Sequence, residues 1–301
     1  MKVVVTGARG FIGRRLVSRL AASGHEVIAV VRPGSVSLAD ADTVECDLGD
    51  LRSLPTLVDE ADVIVHLAWA GANPESRHVP AAQLPNLAAS LDLVDAAAHM
   101  GVERIVCAGS MSEFGLHRGP VSGAEPSSPV DLYAAAKVAA RELMGVRCAQ
   151  SGVGLVWTMI TSVYGPDRED SNLITYAIDA LLRGERPSTT GLEQIWDYLY
   201  VDDLIEALHL IVEHGRAGAR YPIGSGVAKP LASYVEAIRD AIDPSLPLGI
   251  GEVPYKSAVL DSSIPDISRL IADTGFAAAT AFSTGIAATI AARRERLRPA
   301  P

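Results

Sequence analysis

A chain of 301 residues, 49% hydrophobic and 21% charged, can bury one large core or two modest lobes and has the balance of a globular protein. Its net charge of −10, from 26 Lys and Arg against 36 Asp and Glu, argues against nucleic acid or an anionic membrane as the main partner. No apolar run approaches the ~18 residues of a membrane helix. The one basic cluster, Ala-Ala-Arg-Arg-Glu-Arg-Leu-Arg-Pro near the C-terminus, reads as a solvated helix end.

The opening Met-Lys-Val-Val-Val-Thr-Gly is too short for a signal peptide and reads as a first strand, Val3 to Val5. A helix is expected over Phe11 to Ser23, with Leu16 and Leu20 at i, i+4, then a strand over Val27 to Val31. Thr43 to Cys46, Val63 to Leu67, Arg104 to Ala108 and Leu155 to Thr161 are further predicted strands, with helices over Pro85 to Met100 and Leu132 to Ser151. This alternation implies an α/β chain with a doubly wound parallel sheet. After Tyr164 prolines and glycines punctuate shorter elements, which suggests a smaller lobe and a segment near Tyr198 to Val201 returning to the main sheet. Cys46, Cys107 and Cys148 lack metal-ligand spacing, so a cytoplasmic protein with no disulfide framework and no metal centre is expected.

The run Thr6-Gly7-Ala8-Arg9-Gly10-Phe11-Ile12-Gly13 follows a strand and opens a helix. Gly7 permits the turn, Gly10 lets backbone approach a pyrophosphate, and Gly13 lets helix and strand pack closely. A nicotinamide dinucleotide is the implied cofactor. An NAD site would place an acid at the end of the second strand, but the sequence there is Val30-Val31-Arg32-Pro33. Arg32 and Arg9 suit a 2′-phosphate instead, which favours NADP(H) over NAD.

Tyr133 and Lys137 fall one turn apart on one helix face. A free phenol titrates near ~10. A neighbouring ammonium stabilises the phenolate and makes the tyrosine a usable proton donor or acceptor.

These motifs occur with His66-Leu67-Ala68, Gly109 to Gly115, Val163-Tyr164-Gly165-Pro166 and Asp197 to Asp203 in one order. The chain thereby resembles the extended short-chain dehydrogenase/reductases, the NAD-dependent epimerase/dehydratase group acting on nucleotide sugars. The resemblance spans essentially the whole chain. It implies a Rossmann-type domain over 1–163, with about 191–220 returning to it, and a substrate-binding lobe from 164–190 and 221–301. It assigns catalysis to Ser110, Tyr133 and Lys137, with Ser112 a rival for the serine role. Cofactor contacts would come from Gly7, Arg9, Gly10, Phe11, Ile12, Gly13, Arg32, Asp47, Leu48, Leu67, Ala68, Trp69 and Ile160, besides Tyr133 and Lys137. Substrate contacts would come from Ser112, Ser162, Asn172, Leu173 and Trp196.

Met111 and Ser112 stand where sugar dehydratases of this resemblance carry an Asp-Glu pair, and Glu113 is one strand position out of phase. Elimination is therefore not the expected reaction. Trp196 replaces a diphosphate-binding Arg, and Ser162 an Asn, while Asn172-Leu173 is kept. The run Gln194 to Tyr200 is similar to reductases of 4-keto deoxysugar nucleotides. The implied reaction is reduction of a keto group with NADP(H), Tyr133 protonating the oxygen that Ser110 holds. The alternatives are an epimerase with tightly bound NAD, a reductase of a non-nucleotide ketone, or a catalytically silent redox sensor. The resemblance also implies a homodimer through the helices around Pro85 to Met100 and Tyr133 to Gln150, with Ala139 and Ala140 allowing close packing.

Overall fold

The computed structural model describes residues 1–115, 117–255 and 263–298; positions 256–262 and 299–301 of the expected second lobe lie outside them. In chain order, β1 (Lys2–Thr6) leads through the glycine turn to α1 (Gly13–Ala22), β2 (Glu26–Val31), β3 (Asp42–Glu45) and β4 (Val63–His66). There follow α2 (Pro80–His99), β5 (Arg104–Ser110), β6 (Gly119–Val121), α3 (Leu132–Ser151), β7 (Gly154–Ile160) and β8 (Ser162–Tyr164). Next come α4 (Leu173–Leu182), β9 (Ser188–Thr189), β10 (Ile195–Tyr200), α5 (Val201–His214), β11 (Arg220–Ile223) and β12 (Ala228–Pro230). The described chain closes with α6 (Leu231–Ile242), β13 (Gly249–Ile250), β14 (Ser263–Pro265), α7 (Ser268–Thr274) and α8 (Phe282–Arg296).

Seven strands form one parallel sheet in the order β11-β7-β5-β4-β1-β2-β3. The central strands β1, β2 and β4 carry continuous apolar runs because both faces are covered, whereas the edge strand β3 is Asp-Thr-Val-Glu and only partly buried. Val3 and Val5 enter one core and Val4 the other; Val63 and Val65 oppose Ile64 in the same way. Leu16 and Leu20 of α1 and Leu204 and Leu208 of α5 cover the first face. Leu93 and Ala97 of α2 and Met144 of α3 cover the second. Each fully buried leucine contributes about 1.5–3 kcal/mol of transfer free energy. A third core, from Ile174 and Ile178 of α4, Val235 and Ile238 of α6, and Ile286 and Ile290 of α8, holds the C-terminal lobe together.

Several boundaries differ from the sequence reading. α1 starts at Gly13, so Phe11 and Ile12 belong to the preceding turn. α2 starts at Pro80, where the missing N–H costs nothing, and carries the exposed Pro85 inside it. The segment near Tyr198 to Val201 does not join the main sheet: β10 pairs with β8 and β12 in a small separate sheet. The returning strand is β11, disguised by Pro222, which an edge strand tolerates. Ala140 is not available to an outer helix interface, because its side chain is in the second core. Arg293, within the supposedly solvated basic end, is buried and ion-paired with Asp179. No helix among the described residues is long and apolar enough to cross a membrane.

Candidate active site

The chain runs outward in opposite directions from β1 and β4, so their C-terminal ends open a crevice at the switch point, where open α/β sheets bind ligands. A cleft of about 700 Å³ occupies that position. Gly7, Gly10, Phe11, Ile12, Gly13, Leu67, Trp69, Ser110, Ser112, Tyr133, Lys137, Ile160, Ser162 and Trp196 all line it. Two glycines are dictated by geometry. Gly7 has φ +69°, and a Cβ there would lie 2.7 Å from the Ala68 nitrogen. A Cβ on Gly13 would lie 2.2 Å from the Gly7 carbonyl oxygen. The Gly10 carbonyl takes the Arg14 N–H at 3.2 Å, but no side chain caps α1, so the start of the helix keeps N–H groups for an anionic ligand at the floor of the cleft.

Asp131 starts α3 by accepting from the Ala134 N–H at 2.7 Å, which puts Tyr133 in the first turn facing the cleft. Lys137, one turn on, is 5% exposed and donates from Nζ to the Ala108 carbonyl at 2.7 Å. Its Nζ lies 3.6 Å from the centre of the Trp69 ring and 5.8 Å from that of Tyr133. Burial pulls the Lys137 pKa down to about 7, against the opposing pull of Glu113. One carbonyl acceptor for three N–H donors leaves hydrogen-bonding capacity that ribose hydroxyls suit. The glycine cradle, the uncapped helix and this ammonium fit a nicotinamide dinucleotide.

Burial also raises the Tyr133 pKa, while Arg77 and the Ser110 hydroxyl favour its ionised form. Ser110 ends β5 and accepts from the Ser112 N–H at 3.1 Å. Glu113, one turn later, receives the Ser110 N–H at 3.0 Å and the Trp157 indole N–H at 2.9 Å, and pairs with Arg141. Residues 111–114 are a 3-10 turn rather than a strand, so the expected strand alternation does not decide where Glu113 points. It points inward, fully buried, and does not line the cleft.

Other candidates lie apart from the cleft lining. Arg9 and Arg32 are exposed beyond β1 and β2; Arg9 donates to the Val36 carbonyl, and the Arg32 guanidinium has no partner among the described residues. Asp47 caps the short 3-10 segment beginning at Leu48, and Leu48 packs on the second core. Asn172 caps α4 through the Ile174 and Thr175 N–H groups, and Leu173 packs on the third core. Trp196 donates its indole N–H to Ser162 Oγ at 2.9 Å, joining two candidate substrate residues at the cleft wall.

The sequence reading missed two cations. Arg77, on the irregular segment before α2, sits 4.5 Å over the Tyr133 ring, pairs with Asp131 at 2.8 Å, and donates to Ser112 Oγ at 3.2 Å. Arg168 lines the far side and chelates Asp170. Neither lies on a periodic element, so only the helix-capping Asp131 offered a sequence signal.

Residues 3–224 match the NAD dependent epimerase/dehydratase family. Over 245 residues, 78% of this chain and 88% of the relative, the chain is 30% identical to a dTDP-6-deoxy-L-talose 4-dehydrogenase (NAD(+)) of Aggregatibacter actinomycetemcomitans. It is 28% identical to a GDP-6-deoxy-D-mannose reductase of Pseudomonas aeruginosa, covering 79% of each chain. Among solved structures, MoeE5 in complex with UDP-glucuronic acid and NAD is 30% identical with TM-score 0.85, covering 99% of this chain and all of that one.

Proposed function

The chain belongs to the NAD dependent epimerase/dehydratase family, and from that premise we propose that it reduces the keto group of a nucleotide-activated deoxysugar with NADP(H). The observation that carries the cofactor choice is the end of β2. There the strand runs into Arg32 and Pro33 instead of an acid, and the Arg32 guanidinium is exposed and unpartnered among the described residues. A guanidinium pairs well with a 2′-phosphate, whereas an acid would be needed to accept from a 2′-hydroxyl. Arg9 stands on the neighbouring turn and completes a cationic rim.

The bound nicotinamide supplies the hydride; the remaining groups are the chain's own. Ser110 would donate to the carbonyl oxygen, and Tyr133 would give that oxygen its phenolic proton. Lys137 and Arg77 would stabilise the phenolate left behind, one along the helix and one over the ring. Trp69 completes this pocket by packing edge-on to Tyr133, with ring centres 6.2 Å apart. Trp196 and Ser162 would frame the sugar, and Arg168 is the cation placed to meet a diphosphate. Asp47 and Leu48 would flank the adenine, and the Asn172-Leu173 backbone would approach the nucleotide.

The test is consumption of NADPH and NADH, followed by absorbance, with nucleotide 4-keto-6-deoxysugars carrying different bases. Preferential NADPH oxidation with product formation is the expected result. Failure with every ketone would remove the reductase reading.

An epimerase is the second reading, favoured by likeness to MoeE5, whose solved complex holds UDP-glucuronic acid and NAD. It would co-purify with NAD and interconvert sugar nucleotides without added cofactor. We also propose a homodimer through α2 and α3, whose outer faces expose Leu84, Leu143 and Val146.

A further inference from the structure

At the N-terminal end of the strands, opposite the cleft, the turn entering β2 and the last turns of α5 bring His25, His209 and Glu213 together. Their ligating atoms all lie within 4.8 Å of one another. His209 and Glu213 are i, i+4 on α5, so they project side by side, and His25 reaches them from the neighbouring element. The His25 and His209 side chains are 7% and 6% exposed. All four of their ring nitrogens are buried without a hydrogen-bond partner. Buried polar atoms are nearly always paired, so two adjacent imidazoles left unsatisfied require an explanation.

The spacing supplies one. His25 Nε2 and His209 Nε2 each lie 3.4 Å from Glu213 Oε1. Bonds of about 2.0–2.1 Å to a tetrahedral ion place neighbouring ligands roughly 3.3–3.4 Å apart. The second nitrogen of His209, Nδ1, faces Glu206 Oε2 at 3.6 Å. A carboxylate behind a ligating histidine fixes its tautomer and ring orientation. Glu206 is itself anchored by Arg19 at 2.8 Å. The cluster sits at the C-terminal end of a 14-residue helix, where the backbone dipole favours a cation.

We propose that His25, His209 and Glu213 bind a divalent ion of the zinc type, tying the end of α5 to the start of β2. Two imidazoles and one carboxylate suit zinc or its first-row neighbours rather than magnesium or calcium, which prefer oxygen. Glu213 is 29% exposed and gives the ion a route from solvent. A water entering by that route would supply the fourth donor. The ion would be structural, because none of these residues lines the nicotinamide cleft.

Chelator-stripped full-length protein should be titrated with zinc chloride by calorimetry and thermal shift, with magnesium chloride in parallel. One zinc per chain and a raised melting temperature are expected, with no response to magnesium. Glu213→Gln, partly exposed and nearly isosteric, should weaken zinc binding at least about ten-fold. His209→Gln should do the same, while His99→Gln on the exposed end of α2 should change nothing. Cobalt should give the intense visible absorption of a tetrahedral site, lost in Glu213→Gln. Zinc binding of equal strength in Glu213→Gln and the wild type, or loss of binding in His99→Gln, would assign the ion to surface histidines and overturn the proposal. So would the absence of stabilisation by one equivalent.

Discussion

The guanidinium of Arg77 lies 4.5 Å from the centre of the Tyr133 ring while its backbone carbonyl accepts the Tyr133 N–H at 3.0 Å. Burial raises the phenol's pKa, and the nearby positive charge works against that rise. Replacing Arg77 with methionine should therefore raise the pKa of Tyr133 further. Ketone reduction needs the phenol protonated, so its high-pH decline should move to higher pH in Arg77→Met. The reverse oxidation, which needs the phenolate, should weaken at neutral pH. The pH–rate profiles in both directions check this; coincident profiles would remove Arg77 from the tuning of Tyr133.

Tyr133→Phe removes the proton and leaves the packing on Trp69 and Arg77. kcat should fall at least ~10²-fold with little change in cofactor affinity. Steady-state kinetics and cofactor titration separate the two effects.

Lys137→Met should lose activity yet gain stability at neutral pH, on the order of 1–2 kcal/mol, because it removes a buried ammonium. The folded pKa of about 7 lies below the usual lysine value of 10.5. Between those values the unfolded chain binds a proton that the folded chain does not, so wild-type stability rises with pH across that window. The penalty is complete below the folded pKa. The gap between variant and wild type should shrink from neutral pH to mildly alkaline pH, as read by thermal denaturation at each.

Arg32→Ala should raise the KM for NADPH about ten-fold or more and leave NADH nearly unaffected, since a charge-assisted phosphate contact is worth ~1.5–3 kcal/mol. An unchanged preference would move the cofactor assignment to NAD.

Glu113→Gln removes one of two carboxylates from the buried Arg141, which keeps Glu142 at 2.9 Å, and should cost about 1–3 kcal/mol of stability. Denaturant unfolding measures it. Activity per folded molecule should fall less than in Tyr133→Phe, because Glu113 acts by holding the Ser110 N–H.

Much of the site was legible because its residues hang on regular elements. The glycine turn, Ser110 at a strand end, and Tyr133 with Lys137 on one helix face all follow from local pattern, and the cleft gathers them. Arg77 and Arg168 were not legible, because they come from irregular segments whose course is set by tertiary contacts. Asp197 and Asp203 of the late motif turn out to be fasteners. Asp197 accepts from Ser225 and Gly226, and Asp203 holds Ala279 and Thr280 against α5. The returning strand was misplaced because Pro222 reads as a breaker wherever a strand's neighbours are unknown.

That proline has a consequence for the molecule's life in a crowded solution. Ala219 and Ile223 carbonyls accept from Trp157 and Thr161 on β7, so odd-numbered positions of β11 face inward and residue 222 faces out. Pro222 is nonetheless buried, because Gly123 lies against Arg220 and Pro265 against Gly224, so this rim of the seven-stranded sheet is covered as well as blunted. An incoming strand finds neither a free N–H nor an open rim there, which closes the sheet to edge-to-edge growth. Substituting Pro222 with valine would put an N–H into that covered rim and should lower stability by about 1–3 kcal/mol, read by denaturant unfolding.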